Sequence, residues 1–595
     1  MLSRLNQTIK DHPYAAGAAL ALVSAAVFSG VLSNGLVYDD GKQLLENPFV
    51  RNPHLWWRIF TGSVWSFLGA AAEMNFYRPL HIFSYWLIWR VAGPNPTAYH
   101  FCQWSLYMAT GLVVFQIGRR ILGNDLAALA GSLIWLLHPL HVEAVAWIAS
   151  FPDMGCGFFY LLAFLLFLRA EKPGNRRLAH HALAALAYLP ALFFKEAAFS
   201  FPLLLIAYWF FFSESVEPWS RRAACWCVYV AAAAIYSAAR VAALGHFSGA
   251  HHLWRIQPQL VAAALGLLGQ HARLFFWPVR LNVFHGFDPA ASLRSPWPWL
   301  TLLALVAAVT LRKRQRVLSF LVAWWAVTLL PCLDVRQLSF PLLAERFSYL
   351  PSVGLCFALA YLGLIWLPQR LPTAPVAPAV LPALGVVICL WVVQDVRAIP
   401  NWRSNETLFG YSLSVAPDSG LVRVHHGLDL QYRLHDLEGA REEYETALRL
   451  NQGSFNPLNT VTYDSNIGLG EIADLEGRHQ EALAYYERAT RFLPYHSLAY
   501  DVLGTVYFPR GDYAKAAQYF ARAVQVNPQD LSARFYLGTC WKKLDKYREA
   551  AEQFHAAREI DPTYRQAYSA EAQALEAAGD AAGAAAVRIL KPASE

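Results

Sequence analysis

Two adjacent carboxylates, Asp39 and Asp40, stand in GLVYDDGKQLLENP, directly after a run (12–38) that contains no Asp, Glu, Lys or Arg. A bilayer core takes roughly 20 apolar residues to cross, so this run is long enough to span it and to deliver both acids to the membrane surface. An acid at that depth can meet a lipid-linked substrate from one side and a water-soluble one from the other. The ordinary alternative is a helix end running into a polar loop, and other residues argue against it. Arg78, in NFYRPLHIFSYWLIW, opens an apolar helix beside Pro79, a residue suited to a first helical turn. A guanidinium next to free helix N–H groups favours phosphate, although a snorkelling arginine would look the same. Lys195 with Glu196, and Glu345 with Arg346, interrupt apolar stretches as charged pairs. Each pair reads as a simple ion pair or as a substrate contact.

HPLHVEAVAW brings His138, His141 and Glu143 together, and Asp153 opens the next apolar run. The two histidines are three residues apart around Pro139 with no further ligand nearby, so substrate orientation or a hydrogen-bond network is expected rather than a metal site. Ionisable groups at membrane spans are costly and are functional candidates by default. No Walker loop, Rossmann glycine fingerprint or GxSxG elbow is present. An activated donor therefore has to come from the membrane, and neither a cofactor nor a nucleic-acid partner is expected.

The elements that position these residues are unevenly distributed. Of 595 residues 56 % are hydrophobic and 15 % charged, but apolar runs dominate to about residue 395 and charge dominates beyond it. NWRSNETLF (401–409) marks the junction. The net charge of +7 comes mostly from Lys/Arg clusters between runs, at 119–120, 172–177, 221–222, 312–316 and 370, so it reports topology. The eight cysteines show no CxxC or framework spacing. With every basic cluster in the cytoplasm, parity requires one run between Arg222 and Arg312 not to cross. The run 256–272, with Gln257, Gln259, Gln270 and His271, is the one expected to be re-entrant or interfacial. About eleven crossings result, which puts the candidate residues and the C-terminal region together on the outer face.

Pro494, Pro528 and Pro562 are spaced 34 residues apart, as are Gly470, Gly504 and Gly538; Ala482, Ala516 and Ala550; and Tyr486, Phe520 and Phe554. This is the tetratricopeptide (TPR) period, with small residues where helices pack and proline after the second helix. The expected organisation is all-α: a multi-span membrane domain over 1–400, a junction with a degenerate first repeat over 401–461, and a TPR array over 462–595. Such an array leaves a concave groove suited to extended peptide.

YDD followed by an NP turn (38–48), YRPL (77–80), HPxHVEAVAW (138–147), KE (195–196), AERFSYLPSVG (344–354) and the C-terminal TPR array occur in an order that resembles the transmembrane-and-TPR-containing protein O-mannosyltransferases of the GT-C class. The resemblance implies a metal-independent, inverting transfer of mannose from a polyprenyl-phosphate donor to a Ser or Thr hydroxyl of a protein held by the TPR groove. It makes Asp39 the first choice of base and Asp40 the second. Arg78, Lys195 and Arg346 become donor-phosphate ligands, and His138, His141, Glu143, Asp153 and Glu196 orient substrate. The short array and compact loops fit a bacterial-type member in the inner membrane, or the endoplasmic reticulum for a eukaryotic one, with the array on the periplasmic or luminal side. A non-enzymatic scaffold is the main alternative. A lipid-linked sugar transporter is another, but the membrane part shows no internal symmetry and its charges sit at span ends.

Overall fold

The computed structural model describes residues 2–68, 75–171, 177–212, 219–245, 247, 258–333, 342–371, 376–451, 460–494, 496–528 and 530–590. Lys172 to Arg176 of one expected basic cluster, residues 372–375 of an expected run, and 452–459 of the insert before the repeats lie outside them. Every regular element among the described residues is helical. The chain forms two compact units, 1–61 with 77–417, and 62–76 with 418–595.

Among the described residues of the first unit six helices are long and apolar enough to cross a membrane: Pro13–Ser33, Ile148–Ala170, Arg177–Phe194, Cys225–Leu244, Ser352–Arg370 and Ala379–Trp402. The count is seven if Asp125–Leu136 and Pro139–Ala146, which bend by 53° at their break, form one span. The difference from eleven has a physical origin. Expected runs of 15–17 residues become short helices such as Trp297–Thr310 and Arg316–Cys332, below the roughly 20 residues a straight crossing takes. The run 256–272 folds into Pro258–Phe276 and is not among the six. Inside the unit, close helix approach depends on small residues, as is general for membrane helices. Gly157 lies so close to the ring of Tyr349 that a Cβ there would collide with it.

The second unit is a stack of helix hairpins. Gly420–Asp429 pairs with Leu437–Leu450, Thr460–Leu475 with His479–Phe492, Ser497–Tyr507 with Tyr513–Val526, Leu531–Lys543 with Tyr547–Ile560, and Arg565–Ala577 with Ala581–Leu590. The repeating columns explain the pairing. A Cβ on Gly504 would lie 2.6 Å from the ring of Phe520, and one on Gly538 would lie 2.8 Å from the ring of Phe554. Ala482, Ala516 and Ala550 are fully buried where the helices cross. The expected degenerate first repeat uses the same device, with Gly427 against the ring of Tyr444.

Gly504→Ala should therefore destabilise the array by about 1–3 kcal/mol, the usual cost of overpacking. Thermal unfolding of the full chain measures this, and Phe520→Leu in the same chain should recover part of the loss because the two sites share one space. An unchanged melting temperature for Gly504→Ala would refute the packing account.

Candidate active site

The acidic pair sits on a turn that distant parts of the chain hold in place. After Pro13–Ser33, the Asn34 side-chain amide donates to the carbonyl of Ile399 (3.2 Å) and the Gly35 N–H donates to that of Arg403 (3.1 Å). Tyr38 then adopts φ 52°, the left-handed region that costs a non-glycine residue about 1–2 kcal/mol. It is held there by its N–H, which donates to Asn405 Oδ1 at 2.8 Å, and by its ring, 5.4 Å from Phe284 and 5.5 Å from Trp147.

The two carboxylates fare differently. Asp40 is 1 % exposed; its Oδ1 accepts the Ala149 N–H at 2.8 Å and its Oδ2 the Val37 N–H at 3.0 Å. It ties the turn to the 148–149 segment, and burial pushes its pKa well up, opposed by those N–H bonds. Asp39 is half-buried, and among the described residues it has no hydrogen-bond or ion-pair partner. Burial raises its pKa to about 6, against the pull of Lys42 and Arg346. A carboxylate without a partner that titrates near neutrality suits proton abstraction.

The charges selected from sequence meet one another. Arg78 forks onto Glu196, with Nε 2.9 Å from Oε2 and Nη2 on Oε1. Lys195 Nζ donates to Asp153 Oδ1 at 2.6 Å. Arg346 binds Glu143 twice, through its guanidinium Nη1 to Oε1 and through its backbone N–H to Oε2 at 2.8 Å. Its guanidinium also lies 4.9 Å from the Trp147 ring and 5.0 Å from Phe347, whose ring is in turn 5.1 Å from Lys195 Nζ. Asp153 acts electrostatically on both Arg78 and Arg346, and Arg346 acts on Asp39. The three pairs and Asp39 thus share one field. They differ in what they leave over: Glu196 fills the Arg78 fork, whereas Arg346 keeps Nε and Nη2 without a hydrogen bond among the described residues.

The histidines are committed to packing. His138 accepts the Leu140 N–H at Nδ1 (3.3 Å), places Nε2 3.0 Å from the Phe275 carbonyl, and stacks on the Phe275 ring. His141 lies 3.0 Å from Tyr107 Oη through Nδ1 and 3.0 Å from Ser352 Oγ through Nε2. Both nitrogens of each ring are therefore taken by protein groups, and the pair is not brought to the ion-pair cluster as a substrate-orienting element. Among the described residues no three His, Cys, Asp or Glu side chains are grouped to hold a metal ion.

Sequence reasoning missed Trp147 and Phe347 as platforms for Arg346, and Asn405 as the anchor of Tyr38. The two rings lie within motifs that were singled out, but no spacing marks an aromatic as a cation's neighbour. It also missed His285 and Asn282, which bind Glu345: its Oε1 accepts the Asn282 N–H at 2.7 Å and lies 2.9 Å from His285 Nε2.

Tetratricopeptide-repeat family models match residues 421–494 and 507–574. The protein O-mannosyl-transferase Tmtc1 of Drosophila melanogaster is 27 % identical over 201 residues, covering 34 % of this chain and 23 % of its own. The human protein O-mannosyl-transferase TMTC4 is 22 % identical over 481 residues, covering 70 % of this chain and 64 % of its own. The chain is a TPR-containing relative of the protein O-mannosyl-transferases. It spans less than two thirds of the length of these relatives. Among solved structures, the TPR protein YrrB matches 31 % of this chain and 90 % of its own at 23 % identity, with a TM-score of 0.26.

The two acids of this relative should separate in a stability measurement. The Asp39 pKa of about 6 lies above its ordinary 3.8, so the unfolded chain releases this proton more readily and ionisation costs folded-state stability as pH rises through that window. Asp39→Asn should raise the melting temperature above about pH 7 and leave it unchanged near pH 4. Asp40→Asn should lower it at both, by about 1–3 kcal/mol, because an amide nitrogen would face a buried backbone N–H. Equal behaviour of the two variants would overturn the distinction.

Proposed function

We propose that the chain is a multi-pass, polyprenyl-phosphate-dependent glycosyltransferase that moves a mannosyl group to a Ser or Thr hydroxyl of a protein, with inversion. The observation that carries this reading is the Asp39 carboxylate, with no partner among the described residues and a pKa raised to about 6, within the electrostatic reach of an Arg346 guanidinium that keeps Nε and Nη2 without a hydrogen bond among those residues. The names of the relatives and the order of motifs support it. In this scheme the acceptor hydroxyl loses its proton to Asp39 as its oxygen attacks the anomeric carbon. The bond from that carbon to the lipid phosphate breaks on the opposite face, and the departing phosphate carries away the bonding pair. Arg346 meets that charge through Nε and Nη2, a planar pair of donors matched to phosphate. Lys195 adds positive charge, and Arg78 contributes once it shares Glu196. Glu143, Asp153 and Glu196 keep these cations in place before the donor arrives. Asp40 holds the turn, and the TPR groove presents the protein acceptor.

Transfer from a polyprenyl-phosphate sugar, measured in nanodiscs, tests the roles. Asp39→Asn should lose roughly 100- to 10,000-fold in turnover while still binding donor, and transfer by the unaltered chain should fall as pH drops below about 6. Arg346→Ala should weaken donor binding and Arg346→Lys should restore only part of it, since lysine lacks the fork. Full activity in Asp39→Asn would remove the base assignment, and normal donor binding in Arg346→Ala would remove the phosphate assignment.

An odd number of crossings from a cytoplasmic N-terminus, as in the seven-span count, would put the array on the outer side, where the acceptor is met. A reporter fused after Glu595 should be active only as an exported domain. Cytoplasmic activity would mean that Pro258–Phe276 crosses.

A further inference from the structure

Outside the ion-pair cluster, the first unit contains a cavity of about 420 Å³, within the roughly 300–1,000 Å³ typical of small-ligand sites. Its walls divide into two kinds. Leu390 and Val393 of the helix Val376–Ala398 form an apolar side, and Leu390 is 64 % exposed. That helix is among the six able to span a membrane, so its outward face is a lipid-facing surface and the cavity adjoins it. Among the other lining residues, which include further apolar side chains, are the polar groups Arg397, Asn401, Glu345 and Ser412.

Three of these groups have unused bonding capacity. Arg397 is exposed and has no hydrogen bond or ion pair among the described residues. Ser412 is fully buried and its Oγ has no partner. A buried hydroxyl without a partner costs stability and calls for a water or ligand. Glu345 is 3 % exposed, and its two contacts both fall on Oε1, leaving Oε2 without a partner among the described residues. Burial and the nearby Glu143 push the Glu345 pKa well up, which disfavours its charged form.

We infer that this cavity is a docking site for an anionic membrane phospholipid with a hydroxylated headgroup, its phosphodiester on Arg397, its glycerol hydroxyls on Ser412 and Glu345, and its acyl chains on Leu390 and Val393. The charge pattern selects this occupant. Arg397, the cation among the described lining residues, matches a net negative lipid. The cations that the transfer reading assigns to the donor phosphate lie in the ion-pair cluster, so this site does not depend on that reading.

Native mass spectrometry of the full chain, released from detergent with phosphatidylglycerol, phosphatidylethanolamine or phosphatidylcholine at equal concentration, tests the proposal. Phosphatidylglycerol should be retained preferentially as one tightly held lipid per chain. Arg397→Ala should reduce retention about tenfold, the size of one lost charge-assisted contact, without lowering the melting temperature in lipid-free detergent. Ser412→Ala, which removes only the hydroxyl, should reduce it less and keep the preference for a net charge. Equal retention of the three lipids, or undiminished retention by Arg397→Ala, would overturn the inference. Displacement of phosphatidylglycerol by an equimolar polyprenyl phosphate would also overturn it, by making the cavity part of the donor site. Loss of transfer in Asp39→Asn should leave this retention untouched, so the two readings fail separately.

Discussion

Removing a charge from water costs several kcal/mol even after a protein relaxes around it, and the cost is recovered only where a partner and good geometry are present. The ion-pair cluster of the first unit is built around that constraint. Arg78, Lys195 and Arg346 are each largely buried, and each is held by a carboxylate that comes from a different stretch of chain. These pairs are better understood as a way of keeping cations in place than as a source of stability, since apolar side chains of similar size would often pack as well. Removing any one partner would leave the other buried alone, so the cluster behaves as a set. Asp39 is the exception: among the described residues it has no partner, and burial raises its pKa.

The pairing also ranks the cations. A guanidinium whose fork is filled, as in Arg78, can take a phosphate only by rearranging. One that meets its carboxylate through a single nitrogen and its own backbone, as in Arg346, can take a phosphate without letting go. The aromatic rings of Trp147 and Phe347 keep that guanidinium in one plane, which favours a two-point contact over a diffuse attraction.

How much of this was legible in the sequence differs by element. The TPR array was open to reading because one contact, a glycine under an aromatic ring, repeats at a fixed interval from Gly470–Tyr486 to Gly538–Phe554. The charged residues were open to reading because charge is rare in apolar runs, and all three cations and their three acids were named from that fact. Their partners were not, since Arg78 and Glu196 are far apart in the chain and nothing local to either points to the other. The separate fates of Asp39 and Asp40 were hidden for the same reason: the Ala149 N–H that claims Asp40 belongs to a distant turn. For His138 and His141 the spacing left substrate orientation or a hydrogen-bond network open, and the fold uses their ring nitrogens as helix cap and core hydrogen-bond partners. The count of spans was read from charge-free runs, and short runs end as short helices.

The turn at Tyr38 carries a consequence for the order of events during biosynthesis. Its left-handed backbone is held by Asn405, 367 residues further along the chain, and the neighbouring Asn34 and Gly35 bind carbonyls at 399 and 403. A nascent chain that has not yet delivered those residues has nothing to offset the strain, so residues 34–40 relax and Asp39 points elsewhere. The acid at the start of the polypeptide is therefore set in place only when the last helix of the first unit arrives. Under the proposed role of Asp39, an incomplete chain would stay chemically silent, and the fold would supply its own checkpoint on assembly.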